Sequence, residues 1–135
     1  MKWLAAFFLL TLSHTYVCAQ KQPTPLALSN KAKIAKEWSI VKYEMFGVQS
    51  LPDSSQINDK IHLKPDMTFV LIERGKKITG KWSVHNAGEW MFLHVSSPKT
   101  ETRNFKIISV DDKEAVIEYK DPDLVKTKYF LKALQ

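Results

Sequence analysis

Three histidines, His62, His85 and His94, are the residues best able to ligate a metal or move a proton near neutral pH. A fourth, His14, lies in the apolar opening of the chain. The three fall on separate predicted strands or turns, and no two have a spacing that places them on one face of one element. The reading is therefore isolated histidines and no metal. Cys18 is the single cysteine. Removal of the first 19 residues would take away disulfides, thiolate catalysis and cysteine–metal sites together. There is no Gly-x-Ser-x-Gly elbow, and with four glycines there is no phosphate-cradling loop. Most acids, such as Asp66, Asp111, Asp112, Asp121 and Asp123, sit where turns are predicted and backbone hydrogen bonding is their ordinary work. The expectation is a protein with no catalytic residues, no metal and no cofactor.

The elements around these residues explain that sparseness. Lys2 followed by the apolar run Trp3 to Leu12 is too short for the ~20 residues of a membrane-spanning helix. With Val17 and Ala19 at the positions a signal peptidase inspects, residues 1–19 are expected to be a signal peptide, cut after Ala19. The product would be exported, periplasmic or secreted. Acylation at Cys18 is the rival, disfavoured by Val17 and Tyr16 in the two places before it. Residues 20–35 read as a proline-bearing flexible lead-in and a short helix, "KAKIAKE", capped by Ser29 or Asn30. Residues 36–135 form one domain, held by its apolar core in the absence of disulfides.

From Trp38 onward the chain is a succession of short alternating runs: "EWSIVKYEMF", "KIHL", "TFVLIER", "KITGKWSV", "EWMFLHV", "ETRNFKIISV", "EAVIEYK" and "VKTKYFLKA". They are separated by turns rich in glycine, proline, asparagine and aspartate. Ile78, Gly80, Trp82 and Val84 share one face against Lys77, Thr79, Lys81 and Ser83. Ala115, Ile117 and Tyr119 oppose Glu114, Glu118 and Lys120. A period of two with one polar side means one face buried and one in water. Eight such strands avoid exposed edges by closing, so the fold class is an all-β, eight-stranded, antiparallel up-and-down barrel.

The first strand conflicts with itself. If Trp38 and Ile40 point inward, strict alternation sends Lys42 and Glu44 inward too. A β-bulge near Val41 would switch faces and bring Tyr43 and Met45 in instead. The other reading leaves Lys42 or Glu44 in a wet cavity, touching the polar end of a ligand.

Glu37-Trp38 after a helical lead-in, the "LKPDMTF" hairpin, the "GKWSV" strand and the alternating final pairs resemble the small exported bacterial lipocalin-like domains. The resemblance spans about residues 36–135. The wider lipocalin group carries Gly-x-Trp on its first strand, where this chain has Lys36-Glu37-Trp38. The resemblance implies a lipocalin-like barrel and an apolar ligand inside it. Interior candidates for contact with a small hydrophobic or amphipathic molecule are Ile40, Lys42, Glu44, Phe69, Leu71, Trp82, Phe105, Ile107, Ile117 and Tyr119. The alternative is a ligand-free structural or protein-interaction module of the cell envelope, with Val70 and Ile72 on an outer face for a partner.

The formal net charge of +6 is carried by scattered lysines, among them Lys31, Lys33 and Lys36, then Lys76, Lys77 and Lys81, then Lys126, Lys128 and Lys132. That spacing describes wet faces rather than a nucleic-acid groove, and nucleic acid is not an expected partner. It leaves a modest, salt-screened attraction to anionic ligands or envelope surfaces.

Overall fold

The structure, a computed structural model, describes residues 25–87 and 90–135. The expected signal peptide, its expected cleavage site, Cys18 and the start of the lead-in lie outside these residues. One helix, α1 (Pro25–Ile34), precedes nine strands. They are β1 (Glu37–Met45), β2 (Val48–Ser50), β3 (Lys60–Leu63), β4 (Thr68–Glu73), β5 (Lys76–Ala87), β6 (Trp90–Ser97), β7 (Thr100–Val110), β8 (Glu114–Lys120) and β9 (Lys126–Ala133).

Strands β1 and β3 to β9 pair antiparallel in chain order, and β9 returns to β1 with Trp38 opposite Ala133 and Ile40 opposite Leu131. The eight-stranded closed barrel read from the sequence is therefore present. The ninth strand, β2, is an addition. It lies in what reads as a polar connection, and it pairs with the upper half of β1 through a two-residue turn, Phe46-Gly47. Both turn residues have positive φ, 52° and 76°, the geometry that matches the twist of a tight hairpin. The β4–β5 turn repeats this with Arg74 (48°) and Gly75 (75°).

Helix α1 is a correction. It begins at Pro25 and ends at Ile34, earlier at both ends than "KAKIAKE" implies. Proline fits a first helical turn, since its missing N–H would have no intrahelical acceptor there. Beyond Ile34 the chain enters β1, because Trp38 and Ile40 do more when buried in the sheet than on a lone helix.

Pairing of β1 with β9 shifts register between Ile40 and Lys42, so Val41 is the bulged residue. Below it Trp38 and Ile40 are buried, and above it Tyr43 turns in. The core runs through Trp38, Leu63, Phe69, Trp82, Leu93, Phe105, Ile117 and Leu131, all buried. Gly80 sits opposite Phe69 on this inner face, and a Cβ there would strike the Ser96 carbonyl and lie 2.8 Å from the Phe69 ring. The glycine is a packing requirement.

The two ends of the barrel differ. At one, α1 lies across the opening and Ile34 is fully buried. Trp38 Nε1 donates to the Ile34 carbonyl at 2.9 Å, and Trp82 Nε1 donates to the Lys64 carbonyl at 2.9 Å. Both indole N–H groups are satisfied, so the tryptophans fill that end at no polar cost. The other end carries the β1–β2, β4–β5, β6–β7 and β8–β9 turns, and among the described residues no helix lies over it. Among the described residues no helix is long and apolar enough to cross a membrane.

Candidate functional site

The inward phase of three strands ends in polar residues at the open end. On β4 it runs Phe69, Leu71, Glu73; on β7, Ile107, Phe105, Arg103; on β9, Leu131, Tyr129. Arg103 Nη1 and Nη2 donate to the two Glu73 carboxylate oxygens at 3.2 and 3.3 Å, a bidentate pair across the barrel. Burial works against the Arg103 charge. The hydrogen bonds and charge of Glu73 outweigh it and raise the guanidinium above its ordinary value. Its Cζ lies 5.8 Å from the centre of the Tyr119 ring, so the planar cation also rests near an aromatic face.

Beside this pair stand Tyr43 and Tyr129, edge to face at 5.5 Å. Asp59, in the loop before β3, is the one buried charged residue among those described. Its carboxylate accepts from Tyr43 Oη at 3.2 Å and from the Arg74 backbone N–H at 2.7 Å, which ties the loop and the β4–β5 turn to the barrel rim. Burial and then the Asp59 charge push the Tyr43 phenol well up. Burial and then the Glu73 charge also raise Tyr129 above its ordinary value.

These phenols make a pH prediction. The unfolded chain loses phenolic protons near the ordinary value of 10, whereas the folded chain holds them to higher pH. Their contribution to stability is complete below pH 10 and declines as pH rises above it. Thermal unfolding followed above pH 10 should show a steady fall in Tm, and Tyr43→Phe should make that fall shallower by up to one proton's worth. An unchanged slope would mean that the Tyr43 proton is not held by the fold.

Above the Glu73–Arg103 pair lies a cleft of about 420 Å³, walled by Tyr43, Gln56, Asp59, Glu73, Arg74 and Tyr129 among others. Below it is a cavity of about 20 Å³ among Ile40, Ile61, Leu71, Phe105, Ile117 and Leu131, and Arg103 lines this cavity rather than the cleft. Glu73 and Tyr129 wall both. Small-molecule sites run to about 300–1,000 Å³, so the cleft is of that size and the cavity has room for about one water. A larger furrow of about 650 Å³ runs along the outer wall by Val70, Thr79 and Ser96. It lacks the converging charges and perturbed phenols of the mouth, which is why the mouth is the candidate.

Of the ten interior candidates, Ile40, Phe69, Trp82, Phe105, Ile107 and Ile117 are buried within the barrel, and Leu71 and Tyr119 pack half-buried against that core. They fill space against one another. Lys42 and Glu44 require correction, since the Val41 bulge puts both on the outer wall. Lys42 Nζ lies 4.2 Å from the Phe130 ring centre, and Glu44 accepts from Lys128 Nζ at 2.7 Å. The bonds from Lys128 and Gln49 hold the Glu44 carboxyl below its ordinary value.

Sequence reasoning missed Glu73, Arg103 and Asp59. Alternation alone carried the signal for the first two, each two residues beyond an inward apolar residue. Nothing local marks Asp59. Spacing also hid a pairing of histidines: His85 and His94, on neighbouring strands, come together on the outer wall with ring centres 6.3 Å apart. His94 Nδ1 is 2.7 Å from Asn104 Oδ1, and His85 stacks on Phe92. Among the described residues no three histidine, aspartate or glutamate side chains gather closely enough to hold a metal ion. No protein-family model, no curated protein and no solved structure matches the chain.

Proposed function

We propose that the protein is a non-catalytic, exported, lipocalin-like barrel that binds a small amphipathic molecule at its open mouth. The observation that carries this reading is the juxtaposition of a ligand-sized cleft, walled in part by Glu73, with the half-buried, bidentate Arg103–Glu73 pair at the top of the apolar core. An anionic group can take the place of Glu73 on the Arg103 fork, a geometry suited to carboxylate or phosphate. The apolar part then lies against Tyr43, Met45 and Tyr129. The interior aromatics support the site from beneath and do not themselves enclose the ligand. No side chain here is asked to attack a bond or carry a proton. The mouth supplies charge, shape and exclusion of water.

The test is titration with oleate, lysophosphatidylglycerol and lysophosphatidylcholine, following backbone and arginine side-chain resonances. Shifts are expected at the Arg74 amide and at Arg103 with the two anionic probes, while the Trp38 and Trp82 indole signals, at the far end, stay in place. Silence at the mouth with all three probes would overturn the reading. The close packing of the interior favours a second reading, a ligand-free structural or interaction module of the cell envelope. It predicts that silence together with a partner-bound or self-associated state in solution scattering.

A further inference from the structure

The outer wall of β5, β6 and β7 holds two imidazoles that the mouth does not use. In the β5–β6 ladder Ser83 stands opposite His94 and Phe92 opposite His85, so the histidines are diagonal neighbours on one face. Long and aromatic side chains reach each other across such a diagonal. The two ring centres are 6.3 Å apart, with their planes at 69°. When two imidazoles share one ion through metal–nitrogen bonds of about 2.0–2.1 Å, their ring centres lie about 5–6.5 Å apart. The pair already has that separation.

Each ring is held in place. His94 Nδ1 lies 2.7 Å from Asn104 Oδ1 on β7. A carbonyl oxygen only accepts, so Nδ1 carries the proton and donates it, and Nε2 of the neutral ring keeps its lone pair. The two nitrogens of an imidazole point in nearly opposite directions. Because β6 lies between β5 and β7, Nε2 faces away from Asn104, on the side of the strand that carries His85. Metal-bound histidines are ordinarily oriented this way, with the other ring N–H tied to a carbonyl or carboxylate oxygen. His85 is fixed by stacking on Phe92, with ring centres 5.6 Å apart and planes at 16°. Both rings are reachable, since His85 is exposed and His94 half-buried.

The surroundings choose the metal. Around the pair the ladders place Ser83, Phe92 and Asn104, with Lys81 and Lys106 one step further out, and no carboxylate among them. Magnesium and calcium require oxygen ligands and negative charge, which this wall does not offer. Ions that bond to neutral nitrogen are favoured, and copper(II) stands above nickel(II) and zinc(II) in that order. We propose that His85 and His94 form a two-imidazole site for a divalent late transition metal, copper(II) foremost, with Asn104 as its positioning residue and water in the remaining positions. The site is on the outer wall and does not depend on the mouth holding a ligand. Failure of the titration above leaves it standing.

The experiment adds zinc(II), and then copper(II), to the full chain carrying Cys18→Ser and follows the histidine ring resonances. Zinc(II) should shift the His85 and His94 rings together, along one common binding curve, while His62 stays in place. Magnesium should move neither ring. Copper(II) should displace zinc(II) and broaden the same two rings. His85→Gln and His94→Gln should each weaken zinc(II) binding about tenfold or more, since the remaining imidazole loses its chelating partner. Asn104→Leu should weaken it about tenfold and Asn104→Asp should restore it, because a carboxylate also holds the Nδ1 proton. Circular dichroism checks that each variant keeps the fold. A shift at one ring only would overturn the proposal, as would shifts at His62 equal to those at His85 and His94, which mean adventitious binding by single histidines. An affinity unmoved by His85→Gln would overturn it too.

Discussion

Trp38→Ala is expected to lower the unfolding free energy by about 3–5 kcal/mol. Trp38 has no exposed surface, touches the core from the first strand, and donates its indole N–H to the last residue of α1 at 2.9 Å. Truncation removes the buried ring, leaves a cavity at the end of the barrel, and leaves the Ile34 carbonyl without its donor. Small domains are stable by only about 5–15 kcal/mol, so the variant should sit near its folding threshold at 37 °C. Urea unfolding monitored by circular dichroism measures the loss. Trp38→Phe separates the parts, since it keeps most of the apolar area and loses the hydrogen bond, at about 1 kcal/mol for the bond itself. Proteolysis should then cut between α1 and β1 faster in both variants. A loss below about 1 kcal/mol for Trp38→Ala would show that the barrel end is closed by something other than this residue.

Arg103→Met is expected to cost about 2–3 kcal/mol, less than the loss on breaking a fully buried pair because the two side chains keep 27% and 34% of their surface. The guanidinium goes and the Glu73 carboxylate stays, half-buried and without its partner. Adding Glu73→Gln to Arg103→Met should recover most of the loss, because a neutral amide beside a thioether leaves no stranded charge. Binding reads the same pair differently. Glu73→Gln alone frees the Arg103 fork and should tighten an anionic amphiphile about tenfold, whereas Arg103→Met should abolish its binding. A double-mutant cycle in stability, run beside the titration, separates the two roles. If both singles cost under about 0.5 kcal/mol and anion affinity is unchanged in each, the pair is a screened surface contact and the mouth does not use it.

Particular residues show why much of the barrel was legible in one sequence. Ile78, Gly80, Trp82 and Val84 fall on one face of β5 because side chains in an extended chain alternate, whatever the rest of the molecule does. "LKPDMTF" is a tight turn because Asp66 bonds the Thr68 backbone N–H and hydroxyl, a contact within three residues. The Val41 bulge could be anticipated from a conflict between two inward sets on one strand. Strand β2 could not, since "VQS" is short and wholly exposed, and it forms only because Phe46-Gly47 turns it back on β1. The extent of α1 also escaped, its few apolar residues giving weak local preference.

The mouth was the least legible part. Lys42 and Glu44 drew attention as charges on an apolar strand, and a single inserted residue sent both to the outside. Arg103 and Glu73 lie 30 positions apart and look like ordinary surface charges on polar strands. Closure of β9 on β1 turns their phase inward and brings them within hydrogen-bonding reach.

By itself the sequence determined the strand alternation, the turn positions and the closed all-β class, because each depends on residue type and on neighbours a few positions away. Only the tertiary structure decided that the interior is filled, that polar groups converge at one end and that two histidines meet on the outer wall. Those properties depend on strand register, on a bulge and on which loops share an end of the barrel. Register is settled by packing across the whole ring, where a shift of one residue exchanges inside for outside.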